Sequence, residues 1–224
     1  YVEDAAASWG VGTLRQLQGK ELSYNNLLDL DTAFRCVMEF EEPACAVVKH
    51  ASLCGLGVAD NLPQAYERAY ACDAESAFGG IVGVNRLLDA ALATRLTETF
   101  LEVIIAPSVD AQALPLFAAK PNLRIVILEW PAARAQRPEW RQLSGGWLWQ
   151  DPDTSPEAAA SWTLATKRSP TAQERDDLLF AWKAAKHVKS NSIVLARGGA
   201  TVGIGQGQPS RVGSVRLAIQ KAGD

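Results

Sequence analysis

The sequence predicts an α/β protein, a mostly parallel β-sheet covered by helices on both faces in three α-β-α layers. Three observations point there. The run ACAVVKH (44–50) is apolar without alternation, which suits a strand buried on both faces. From there to residue 128, short apolar runs alternate with helix-like segments, the order that builds parallel sheets. With 224 residues, 48% of them hydrophobic and 21% charged, the chain has the size and composition to bury such a core.

Taken in order, Asn61 caps a helix over NLPQAYERAYACD with Pro63 in its first turn. GGIVGVNR (79–86) reads as a strand, DAALATRLTETF as a helix, EVIIAPS (102–108) as a strand, DAQALPLFAAK as a helix and LRIVIL (123–128) as a strand. Residues 1–128 thus form a first lobe. Between Glu129 and Trp162 the rhythm breaks, and four prolines and five of the seven tryptophans fall there, in a linker and hairpin assigned to residues 129–169. Two readings of these indoles stay open: a stacking platform for a flat heterocycle, or cover for the seam between two lobes.

A second unit, residues 170–224, opens with capping-box spacing between Thr171 and Glu174, followed by Leu178, Leu179, Trp182 and Ala185 on one helical face. SIVLAR (192–197) and ATVGIG (200–205) flank Gly198 and Gly199, a hairpin signal. Ser210 caps a last helix that starts at Arg211 and carries Val212, Val215, Ile219 and Ala222 at helical spacing. Gly213 inside it costs about 1 kcal/mol relative to alanine. One hairpin and two helices cannot close a sheet covered on both faces. The second lobe is therefore expected to be incomplete, with an edge that further residues or a partner chain must complete.

Composition narrows the function classes. A net charge of -3 supplies no bulk positive charge for a nucleic-acid backbone. Cys36, Cys45, Cys54 and Cys72 lie singly, as expected for reduced thiols in a cytoplasmic protein. No apolar run reaches the roughly 18 residues of a membrane span, and the N-terminus has no signal-peptide pattern. The chain opens on Tyr1 rather than Met, as a processed protein or a fragment does.

Lys49 and His50 are the first candidates for chemistry, because they sit where the buried strand ends, ahead of the small, turn-prone ASLCGLG. In open α/β sheets ligands bind beyond the carboxyl ends of strands. A neutral imidazole can accept a proton while a neighbouring ammonium steadies negative charge on an oxygen. Adjacent residues of a regular strand point to opposite faces, so both reach one substrate only if the strand has already bent. A second candidate runs from Asn191 to Arg211: Gly203, Gly205 and Gly207 let backbone approach a ligand, and the following helix N-terminus with Arg211 suits phosphate, although such a loop also reads as a tight turn. In AFGGIV (77–82), Phe78 before Gly79 could stack on a ring, and Glu102 could accept hydrogen bonds from an amine or a hydroxyl. Lys183, Lys186, His187 and Lys189 read as a solvated helical face. A zinc deaminase is excluded: no His or Cys is followed by the required Glu with a later PCxxC pair, so no zinc is expected.

The blocks LQGKELSYNNLLDLD (17–31), PACAVVKH (43–50), SAFGGIV (76–82), EVIIAPS, TKRSPT (166–171) and AWKAAKHVKSNSIVLARGGATVGIGQGQPSR (181–211) resemble, in order, the AICAR transformylase family of purine biosynthesis. The resemblance implies tandem cytidine deaminase-like lobes without zinc, and formyl transfer from 10-formyltetrahydrofolate to the 5-amino group of AICAR. It makes His50 the proton acceptor and Lys49 the transition-state stabiliser. It places Gly79 and Glu102 against AICAR, Asn191 and Arg211 near the nucleotide, and Phe78 and Val212 in the folate pocket. It further implies a homodimer with shared active sites, and allows a monovalent cation near Ser190 and Ser192. Ser52, Leu53, Pro209 and Gly213 depart from the residues usual in bacterial relatives. The family's arginine-tyrosine-glycine motif and its C-terminal folate-contacting stretch have no counterpart here, nor has the cyclohydrolase domain. Two rivals remain: a non-catalytic paralogue that binds a nucleotide or dimerises, and a generic phosphate-binding domain resting on residues 203–211.

Overall fold

The structure, a computed structural model, describes residues 9–130, 138–153 and 161–223. Strand β1 (Arg15–Gln18) leads into helix α1 (Tyr24–Val37). Ser23 starts that helix with a reciprocal cap: its hydroxyl accepts the Asn26 amide, and the Asn26 side chain accepts the Ser23 amide. Neither element figures among the predicted ones. Then follow β2 (Ala44–Lys49), β3 (Ser52–Val58), α2 (Leu62–Ala71), the single turn α3 (Ala74–Ala77), β4 (Gly80–Val84), α4 (Ala90–Thr97), β5 (Leu101–Ala106) and β6 (Arg124–Ile127). The hairpin β7 (Glu139–Leu143) and β8 (Gly146–Gln150) precedes α5 (Ala172–Ala185), β9 (Ile193–Arg197), β10 (Ala200–Gly205) and α6 (Arg211–Ala222).

Eight strands form one sheet in the order β1-β6-β5-β4-β2-β3-β10-β9. It is mixed rather than mostly parallel: β5 runs parallel to β4 and β6, and the remaining pairs are antiparallel. The cause is local, since β2–β3 and β9–β10 are joined by two-residue turns and a parallel pair would need a long crossover. Helices α1 and α5 cover one face, where Leu30, Phe34 and Phe180 meet Val48, Ile81 and Ile204. Helices α2 and α4 cover the other, where Ala65, Tyr66, Leu92 and Leu96 meet Val47, Val82 and Ile104. Each such large apolar side chain, fully buried, contributes about 1.5–3 kcal/mol.

The segment after Lys49 is no loop. ASLCGLG supplies β3, and its small residues are dictated by the helix above it. A Cβ on Gly55 would lie 1.9 Å from the Ala69 carbonyl oxygen, and one on Gly57 would lie 2.6 Å from that of Ala65. Gly55→Ala must therefore push α2 off the sheet. We expect a loss of about 1–3 kcal/mol in urea unfolding, typical of overpacking; an unchanged midpoint would refute this account of the packing. The predicted helix DAQALPLFAAK is likewise reduced to one tight turn, Leu114–Phe117, because Pro115 cannot donate in a helix interior.

Residues 170–223 extend the same sheet. Gly198 and Gly199 both adopt positive φ, 61° and 72°, as a two-residue hairpin turn requires. Strand β10 then docks on β3: Val58 N–H donates to the Gly199 carbonyl at 2.8 Å, and the Thr201 hydroxyl bonds to both N–H and C=O of Leu56. Among the described residues no second sheet begins at residue 170. The expected free edge is present as β9, flanked by an open groove of about 670 Å³ along α5 and Trp162 to Arg168 that contains none of the candidate residues.

The tryptophans divide. Trp130 packs edge-on against Phe34 in the core, while Trp140, Trp147 and Trp149 are 65%, 63% and 56% exposed on one face of the β7–β8 hairpin. The latter three cover no seam among the described residues. Their hairpin is tied to α1 by a 2.8 Å ion pair between Glu139 and Arg35.

Candidate active site

The geometry begins at the turn between β2 and β3. Lys49 pairs with Ser52 across the hairpin, leaving His50 and Ala51 as its two central residues, with φ of 55° and 49°. Left-handed backbone costs an L-residue about 1–2 kcal/mol, and such turns normally carry Asn or Gly. Asp29 compensates. This nearly buried residue of α1 accepts the His50 amide through one carboxylate oxygen at 3.0 Å and the Ala51 amide through the other. Hydrogen bonds to a charged group contribute about 1.5–3 kcal/mol each, enough to hold the turn. The bend that lets both side chains face one substrate is thus a tight left-handed turn, and His50 stands exposed on it.

Lys49 is steered by the segment before β4. Its Nζ donates to the Phe78 carbonyl at 2.7 Å, which leaves further ammonium protons for a ligand. Gly79 has φ of 72° and donates to the Phe100 carbonyl, and a Cβ there would sit between the Phe100 ring and the Lys49 ammonium. Phe78 and Phe100, both more than half exposed, lie 5.1 Å apart by ring centroid. Glu102, near the start of β5, accepts a hydrogen bond from Asn26 at 3.1 Å and lies 3.7 Å from the Arg124 guanidinium.

Asn191 does not present a free amide. It donates to the carbonyls of Gln208 and Pro209 and so pins the loop between β10 and α6, while its own carbonyl accepts the Ser214 hydroxyl at 2.6 Å. Gly203 and Gly205 serve α6 rather than a ligand: a Cβ on either would strike the carbonyl of Ala218 or Ser214 at about 2 Å. Gly207, at positive φ with nothing near its missing Cβ, is the one of the three that faces open space. Arg211 and Val212 stand exposed on the first turn of α6.

These positions share one end of the sheet. It is the carboxyl end of β2 and β10 but the amino end of β4, β5 and β6, because β2 runs antiparallel to β4. Lys49 and His50 do stand at the carboxyl end of β2, but the rule for parallel sheets does not apply there, because β2 pairs antiparallel on both sides. The basic run beside Asn191 is not a solvated face: the Lys183 ammonium lies 5.1 Å over the Phe40 ring, and Lys186 and His187 are largely buried against Glu39 at 3.7 and 3.2 Å. Lys189 reaches the His50 carbonyl at 3.4 Å and so links the two candidate regions. Sequence reasoning missed Asp29, Asn26 and Phe100. The first two had a signal, since polar residues occupy positions on the same helical stripe as Leu30, Ala33, Phe34 and Val37. Among the described residues no group of three or more His, Cys, Asp or Glu side chains could hold a metal ion.

Fold and site define a three-layer α/β domain that displays a lysine-histidine pair on a strand-end turn. The profile of the AICARFT/IMPCHase bienzyme family matches residues 1–221, and the chain belongs to that family. It is 52% identical over 225 residues to the bifunctional purine biosynthesis protein PurH of Roseobacter denitrificans, covering 99% of this chain and 43% of that protein. Against PurH of Cereibacter sphaeroides the identity is 50% over 228 residues, again across 43% of the relative. The chain therefore spans less than half the length of these relatives.

Proposed function

We propose that this chain carries the formyl-transfer chemistry of purine biosynthesis, with 10-formyltetrahydrofolate as donor and the 5-amino group of AICAR as acceptor. The observation that carries the reading is the strand-end turn that displays His50 next to a tethered Lys49 in a chain of this family. The AICAR amine is a poor nucleophile because its lone pair is delocalised into the ring and carboxamide. As its nitrogen bonds to the formyl carbon, His50 takes the amine proton and Lys49 offsets the charge gathering on the tetrahedral oxygen. The bond from carbon to N10 of the folate then breaks, and the proton held by His50 passes to N10.

The folate supplies the formyl group. The exposed Phe78–Phe100 pair fits its flat heterocycle, and Val212, 58% exposed, offers further apolar surface. Glu102 offers its carboxylate to AICAR, Gly79 lets substrate approach the backbone beside Lys49, and Arg211 suits the phosphate. The working unit in this reading is a cytoplasmic homodimer with sites shared between subunits. No described helix is long and apolar enough to cross a membrane. The test is direct: purified protein given AICAR and 10-formyltetrahydrofolate is expected to release tetrahydrofolate and formylated AICAR in equal amounts. AICAR binding without turnover would replace this reading with that of a non-catalytic nucleotide-binding relative.

A further inference from the structure

The geometry points to Asp29 as a positioning residue for the reaction: its buried carboxylate sets the direction of His50 by clamping the turn on which the imidazole stands. The inference rests on the formyl-transfer reading for its kinetic consequence, and on the turn alone for its structural one. Three observations converge on it. His50 and Ala51 both occupy left-handed backbone although neither is Gly or Asn, so something outside the turn must hold them there. Both of their amides donate to the same carboxylate, one to each oxygen. Among the described residues these two amides are the hydrogen-bond partners of the Asp29 carboxylate, so its hydrogen bonding is spent on this turn.

The helix that carries it adds a second element. Asn26, one turn earlier on the same stripe of α1, donates to Glu102, so one helix face braces both the Lys49–His50 turn and the carboxylate at the start of β5. A neutral amide cannot reproduce the clamp. In Asp29→Asn one side-chain oxygen can still accept, but the other acceptor becomes an NH2 group facing a backbone N–H. The turn then relaxes toward ordinary backbone and the imidazole moves.

Misplacing a reacting group by about 1 Å lowers the rate roughly 10²-fold. For Asp29→Asn we therefore expect kcat to fall by about that factor, with AICAR affinity by calorimetry changed less than about threefold. Adding Ala51→Gly, which makes left-handed backbone easy at that position, is expected to restore at least about tenfold of the lost kcat. A purely structural role would move affinity and stability together and would gain nothing in kcat from the glycine. Amide exchange provides the independent reading, made on unaltered protein without substrate: the His50 and Ala51 N–H groups exchange at least about 10²-fold more slowly than those of the exposed Ser144–Gly145 turn. Rapid exchange at both amides, or a kcat for Asp29→Asn equal to that of the parent, overturns the proposal. If the parent protein shows no turnover while both amides are protected and Asp29→Asn exposes them, the reaction assignment fails and the clamp stands.

Discussion

His50→Ala is expected to lower formyl transfer by about 10²- to 10⁴-fold, the range a positioned general base supplies, while AICAR affinity changes by less than about threefold. The split follows from where His50 sits. It stands exposed on the turn, its backbone amide donates to Asp29 and its carbonyl accepts from Ser52 and Lys189, so among the described residues its engagement with the fold runs through the backbone and not the imidazole. Removing the imidazole leaves the backbone clamp intact and takes away only the group proposed to accept the proton. Lys49→Met should behave differently. It removes the positive charge that the proposed reaction places beside the substrate and also the 2.7 Å bond to the Phe78 carbonyl, so affinity and rate should both decline. The measurement is steady-state kinetics paired with calorimetry on both variants. Unchanged kcat in His50→Ala would sink the general-base assignment. An equal loss of affinity and rate would recast His50 as a binding residue.

How much of this was legible in the sequence depends on whether the causes are local. The strand at Ala44, the caps at Asn61 and Thr171, the Gly198–Gly199 turn and the cap at Ser210 are local signals, and each appears in the structure. Strand β3 was hidden because its glycines answer to α2, packed above them, and a glycine-rich run alone reads as a turn. The sheet is mixed because a bend at His50–Ala51 reverses the chain without Gly or Asn, the residues by which such turns are recognised. What makes that bend stable is Asp29, distant in sequence and on an element that pattern reading left out. For the candidate site, the structure shows which of the expected residues lie together. Lys49, His50, Phe78 and Gly79 come together through contacts between the end of β2 and the start of β4. Asn191, expected near the nucleotide, holds the loop that follows β10 through its side-chain amide, a role visible only when residues 191 and 208 are seen side by side.

The basic run that looked solvated leads to the largest expected effect on stability. His187 and Lys186, at the end of α5, close over Glu39, just past the end of α1, and both partners are largely buried. Burial by itself works against a charged imidazole. The Cys36 sulfur and the Glu39 carboxylate more than offset it and push His187 up to about 10, from an ordinary value near 6.5. A group whose folded pKa is raised stabilises the fold fully below its unfolded pKa and loses that contribution as pH rises through the folded one. The window here is therefore pH 6.5 to about 10. At about 1.4 kcal/mol per unit, the ceiling is roughly 5 kcal/mol. Asp31, Cys36, Glu39 and Lys186 all act on this pocket, so Glu39 is the point at which to break it. Removing one partner of a buried ion pair is strongly destabilising, and Glu39→Ala is expected to lose about 3–5 kcal/mol at pH 6.5. Glu39→Gln should lose less and flatten the pH dependence, because a neutral amide can hydrogen-bond the imidazole without favouring its charged form. Urea unfolding of the parent, Glu39→Gln and His187→Gln at pH 6, 8 and 10 tests this, since exposed lysines and tyrosines titrate alike in all three. If the three profiles run parallel across that range, His187 is not held protonated by Glu39, and the junction between α1 and α5 owes its stability to its other contacts, among them Phe40 with Phe180 and Lys186 with Glu39.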